Sequence, residues 1–203
     1  MADRILMNKN TLAAFKAELK GYQTAFPVFE MKEQQLKEMV QVTENHIARL
    51  NASISETELK TRAWVSVMAE ETVDLSQMVQ EEEIITEKRE IAGVSIDVFQ
   101  EVSFSDKKVD LLNTPLWIDA ALEVIQDQKI HRILLKMEEN NLTILSRELS
   151  EARRMKNALK EVFIPDTKEN IRKIEIYLGD VERLAIGCAK LVKKKKESKK
   201  AVA

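Results

Sequence analysis

The side chains able to do chemistry in this 203-residue chain are few and scattered. Its two histidines, His46 and His131, stand far apart, with no cysteine and no second histidine close to either. Zinc-type sites draw their ligands from short, repeated spacings, and neither histidine belongs to one, so both read as exposed or seam-flanking side chains. Cys188 is the single cysteine. It excludes an internal disulfide and fits a reducing compartment. It also falls at a core-type helical position, which makes it a small packed hydrophobe in expectation rather than a nucleophile. Glu70 with Glu71, and Glu81 to Glu83, read as solvated acidic faces. There is no Gly-rich phosphate loop and no GxxxxGK[ST]. No constellation offers a base beside a nucleophile, or a paired acid and base. The expectation is no catalytic residue, no metal, no cofactor, and a chain that is not an enzyme by itself.

One charge run stands out: "KKKKESKK", Lys193 to Lys200. Its plain reading is a solvated, frayed basic tail over 196–203. Its functional reading is contact with phosphates or an anionic surface through Lys193, Lys194, Lys195 and Lys196. No aromatic residues interleave the lysines, so stacking on single strands is unsupported. The formal net charge of −2 provides no global field that would attract nucleic acid.

The elements that must carry these residues are helical. Gly and Pro number only 4 and 3, far fewer than a turn-rich globule needs, while 44% of residues are apolar and 33% charged. From Leu12, steps of three and four residues land on Phe15, Leu19, Tyr22, Phe26, Phe29, Glu33, Leu36, Val40, Thr43, Ile47, Leu50, Ile54, Thr57, Thr61, Trp64 and Met68. Most are apolar. A repeat of 3.5 residues keeps such a stripe against one partner helix, so residues 1–78 read as a coiled-coil arm with Trp64 in its core. A second arm reads over 118–195. Leu135, Leu142, Leu145, Leu149, Ala152 and Leu159 share one register; Ile171, Ile174, Leu178, Val181, Ala185, Cys188 and Val192 share another. The two registers differ by one residue, and Pro165 stands between them, where a kink or local unwinding would re-phase the seam.

Residues 79–117 break the pattern. "AGVSIDVFQEVSF" alternates apolar and polar side chains, the signature of short strands or a hairpin. "NTP" before Trp117 reads as a turn into the second arm. Two long arms around a compact insert fold back most simply as an antiparallel pair in one rod-like domain. Arms of equal length would place Leu12 near Val192 and Leu75 near Gln128. The fold class is therefore predominantly α: a long antiparallel two-helix coiled coil with a small strand-containing insert. No window approaches the roughly 18 apolar residues of a membrane span, and "MADRILMNKN" lacks the apolar core of a signal peptide, so a cytoplasmic location is expected.

"RRMKNALKEVFIP", Arg153 to Pro165, carries a resemblance. Arg154, Asn157, Ala158, Leu159, Ile164 and Pro165 are similar to the "RRxNALExxxIP" signature of the D subunits of V-type and A-type rotary ATPases. "NKNTLAAFKAELKGY", "EMKEQQL", "IAGVSIDVF" and "NTPLWIDAALEVI" resemble that family's other segments, so the likeness runs from about Asn8 to Lys196. Lys156 replaces the family's usual valine and Lys160 its glutamate. Pro27 falls within the first arm, where it would mark a second kink or a helix restart.

The resemblance implies the central rotor stalk of an ATPase or ATP synthase. On that reading the end bearing both termini enters the ring of catalytic A and B subunits, and the insert lies toward the membrane. The stalk's F subunit binds alongside, and the C subunit (d in eukaryotes) joins the stalk to the membrane ring. Nucleic acid and direct membrane insertion have no part, and the location is cytoplasmic and peripheral to the membrane. The lysine tail would then meet the ring. The alternative is a generic coiled-coil adaptor or tether with a basic tail. Heptads alone do not separate the two; the NALK–IP segment and the strand-like insert do.

Overall fold

The structure, a computed structural model, describes residues 6–62, 79, 81–104 and 117–201, with backbone alone at 81, 82 and 198–201. Its elements are α1 (Lys9–Arg62), β1 (Glu81–Ile91), β2 (Val94–Phe104), α2 (Ile118–Ala158), a π-helical turn (Leu159–Phe163) and α3 (Ile164–Ala201). They form two compact units: Met1–Met31 with Ala152–Ala203, and Lys32–Glu151.

Asn8 starts α1 by accepting a 2.7 Å hydrogen bond at Oδ1 from the Thr11 amide, satisfying one of the donors a helix start leaves unpaired. The helix passes through Pro27 without ending, so of the two readings of that proline, a kink or a restart after "GYQTAF", the restart does not occur. Every described station of the heptad stripe from Leu12 to Thr61 is buried or half-buried, and Leu36 is fully enclosed. Trp64 and Met68 lie outside the described residues, as do the acid pair Glu70–Glu71 and the turn before Trp117.

In the unit of 32–151, α1 runs antiparallel to α2. Lys32 meets Glu148 at 3.4 Å, His46 meets Glu138 at 3.0 Å, and Arg132 meets Glu58 at 3.3 Å. Leu36, Leu50, Ile118, Ala121 and Leu145 form its core together with Val94 and Ile96 of β2. Residues 81–104 fold as an antiparallel hairpin whose strands have 11 residues each, longer than the short strands expected. Its turn is Ala92–Gly93, with φ of 52° and 77°. Two successive positive φ values define the tight turn whose twist matches a hairpin.

In the unit of 1–31 with 152–203, α1 runs antiparallel to α3: Lys16 meets Glu175 at 2.7 Å and Lys9 meets Glu182 at 3.7 Å. This corrects the equal-arm register. Leu12 lies at the level of residues near 179, not of Val192, and in the other unit the Gln128 amide donates to the Ile54 carbonyl, while Leu75 is outside the described residues. The end of α3 therefore continues past Lys9, the first residue of α1. The consequence is exposure: Ile171 and Ile174 are buried, whereas Val181, Ala185, Cys188 and Val192 of the same seam are exposed. Cys188 is thus not the packed core residue its heptad position implied. The helix also runs through the whole lysine cluster. The tail expected to be disordered over 196–203 continues α3 to Ala201.

Candidate partner-binding surfaces

The residues of the NALK–IP segment are brought together by the π-helical turn. Leu159 is buried, Ala158 and Ile164 are half-buried, and Arg154, Asn157 and Pro165 are exposed. The Ile164 amide donates to the Leu159 carbonyl, five residues back rather than four. Such a turn accommodates one extra residue, and one residue is the offset between the two heptad registers. The seam resumes at once: Ile164 is half-buried, and Thr167, Ile171 and Ile174 are buried. Pro165 follows directly. Its ring would press on the carbonyl four residues earlier in a regular α-turn, and it has no amide to donate. The re-phasing expected of the proline is thus accomplished by the turn before it.

The turn also leaves an apolar surface. Met155, Val162 and Phe163 are each at least 40% exposed. Phe163 stacks on Tyr22 of α1, with ring centroids 5.5 Å apart and an interplanar angle of 25°. The Tyr22 hydroxyl donates to Glu18 at 2.7 Å. That bond above all, with lesser contributions from desolvation and the glutamate charge, holds the phenol above its ordinary pKa. The one-residue slip in the seam was the available sequence signal for this surface; nothing in the spacing marked Phe163 as its aromatic contact.

A second surface is the end of α3. Leu184, Ile186, Leu191 and Val192 are all more than half exposed. Leu184, Cys188 and Leu191 follow at steps of four and three and so share one helix face. Lys193, Lys194, Lys195 and Lys196 continue the same helix, all exposed. Lys193 approaches Glu197 at 4.0 Å. The result is an apolar face that ends in a basic turn, fit for a lining that is apolar with acidic groups at one end.

The histidines are side-by-side fittings of the α1–α2 seam. His46 Nδ1 lies 3.0 Å from Glu138 Oε1, and His131 Nε2 lies 3.3 Å from Ser53 Oγ. Each pair joins one helix to the other, and the two pairs are one heptad apart. Among the described residues no group of His, Cys, Asp or Glu could hold a metal ion. A groove lined by Glu58, Arg62, Val124, Ile125 and Gln128 opens at the C-terminal end of α1. Within it Gln128 Oε1 is buried with no hydrogen-bond partner among the described residues. No helix among the described residues is long and apolar enough to cross a membrane.

Two antiparallel helical pairings, a π-helical turn that re-phases the seam and a hairpin carried on α2 define a predominantly helical protein built on paired long helices, with exposed apolar surfaces. The chain belongs to the family of ATP synthase D subunits, whose model matches residues 11–194. Its similarity extends over almost the full length of relatives named as the D subunit of a V-type ATP synthase. That of Borreliella burgdorferi is 30% identical over 190 residues, covering 94% of each chain. That of Chlamydia pneumoniae is 25% identical over 205 residues, covering 99% of this chain and 97% of the relative. That of Chlamydia trachomatis is 26% identical over 201 residues, covering 96% of this chain and 97% of the relative.

Proposed function

We propose that this chain is the central-stalk rotor component of a V-type ATP synthase, non-catalytic itself, coupling nucleotide turnover in the A–B ring to ion translocation in the membrane. The observation that carries the reading is the exposed end of α3. A helix that keeps its heptad stripe beyond the reach of α1, with Leu184, Leu191 and Val192 open to solvent, displays apolar surface of the sort that marks a protein–protein contact. On this reading that end enters the ring. The hairpin side faces the membrane, the F subunit lies alongside, and the C/d subunit links the chain to the membrane ring, leaving it peripheral on the cytoplasmic side.

The physical basis of the role is symmetry. A pair of helices has no threefold axis, so within a ring of three equivalent catalytic pairs it touches each one differently. Differential contact is what biases otherwise equal sites toward different states. A third of a turn exchanges the roles. Such a shaft needs an uneven surface and a firm seam, not a nucleophile or a base.

The exposed Cys188 supplies the test. In the reassembled complex, oxidative cross-linking of Cys188 to a cysteine placed in the A–B lining is expected to stop ATP hydrolysis, and reduction to restore it. Full turnover in the cross-linked complex would overturn the rotor role.

A further inference from the structure

The hairpin offers β2 as one of its two edges. Asp97 of β2 pairs across the ladder with Lys88 of β1. Its own peptide groups turn the other way, to Asn141 of α2. The Asp97 amide donates to Asn141 Oδ1 at 3.2 Å, and Asn141 Nδ2 donates to the Asp97 carbonyl at 2.7 Å. In an antiparallel ladder, residues alternate between exchanging both bonds with the partner strand and presenting both outward. Asp97 is of the second kind, and one side chain takes both of its groups. Asn141 is only 2% exposed. A carboxamide has the donor and acceptor of a peptide group at nearly the same spacing, so Asn141 stands where a third strand would otherwise pair.

We infer that Asn141 is the latch that fixes the hairpin on α2: a positioning residue, which holds the arm at Asp97 by mimicking a neighbouring strand and closes that point of the β2 edge to strand addition. Apolar contact through Val94 and Ile96 holds the hairpin down but does not set where along α2 it sits, because such burial is non-directional. A two-bond contact to one backbone position does set it. The exposed neighbour Asn140 has the same chemistry without the burial or the partner strand. Asn141 alone of the two combines burial with the bonds to Asp97. The inference goes beyond the rotor reading and does not depend on it, since the latch is a property of the isolated chain.

The test is amide hydrogen exchange on the full chain. Asn141→Leu keeps the volume and removes both bonds. Asn141→Asp keeps the shape and one acceptor, but sets a carboxylate against the Asp97 carbonyl. Both variants are expected to exchange about ten- to a hundredfold faster over 94–104, with segments 36–58 and 124–149 unchanged. Asn140→Asp is expected to match the parent throughout. Unchanged protection of 94–104 in Asn141→Asp overturns the latch. So does loss of protection in the helices and the hairpin together, which would make Asn141 an ordinary core residue. If Asn141→Leu fails to fold, the near-isosteric Asn141→Asp carries the test.

Discussion

At the scale of single residues, the departures from local preference are informative. Ala92 holds a φ of 52° in the hairpin turn. The left-handed region costs an L-residue with a Cβ roughly 1 kcal/mol, and only Gly, Asn and Asp enter it readily. Gly93 beside it meets that demand; Ala92 does not. Ala92→Asn creates the Asn-Gly pair most favoured in such turns. It is expected to stabilise the hairpin by about 0.5–1 kcal/mol, read as slower amide exchange over 81–104 with no change in the helices. Faster exchange, or none of the gain, would mean that the turn is set by packing rather than by its own torsions. Cys188 teaches the opposite lesson. Its heptad position is that of a core residue, but burial needs a partner opposite, and the register of α1 against α3 leaves none there among the described residues.

At the scale of elements, the helices were largely legible in the sequence because a heptad stripe states both a period and a face. All described stations of the α1 stripe lie in the seam, and so do those of α2. The one-residue slip was legible too, though not its mechanism. A proline nearby and a π-turn both re-phase a seam, and spacing alone does not tell them apart. β1 was not legible: "EEEIITEKREI" is charged, and its described residues are exposed from Glu83 to Glu90, so no alternation marks it. It becomes a strand because the Ala92–Gly93 turn folds it onto β2, whose Val94 and Ile96 are buried. The π-turn makes a prediction of its own. Inserting an alanine after the exposed Lys160 adds a residue beyond the one the turn absorbs and rotates α3 by about 100° relative to the seam. Thr167, Ile171 and Ile174 then leave it. The expected loss is about 3–6 kcal/mol, from the two isoleucines alone, seen as a lowered denaturation midpoint. Lys160→Ala, which keeps the residue count, is expected to stay within about 0.5 kcal/mol of the parent. Equal stability of insertion and parent would show that the turn does not set the phase of α3.

At the scale of the molecule, the arms were legible but their pairing was not. Heptads say that a helix has a partner; they do not say which residue stands opposite which. That depends on how the chain turns between the arms, where the expectation of equal lengths failed. The failure has functional weight, because the pairing of Lys9 with Glu182 is what leaves the lysine-bearing end of α3 beyond the start of α1. On the rotor reading this end makes two kinds of contact with the A–B ring. Leu184, Leu191 and Val192 contribute apolar burial, which is nearly indifferent to salt, and Lys193 to Lys196 contribute attraction to acidic groups. Exposed charges interact over a Debye length of about 10 Å at 0.1 M salt and about 3 Å at 1 M. Deleting Lys193 to Ala203 is therefore expected to weaken assembly with the ring, and more so at low salt than at high. The difference between deletion and parent should shrink toward zero as salt rises, leaving the apolar contact as the residual affinity. A deletion that weakens assembly equally at every salt concentration would assign the loss to helix packing instead of charge. Unchanged affinity throughout would leave the lysines as a solvated helix end.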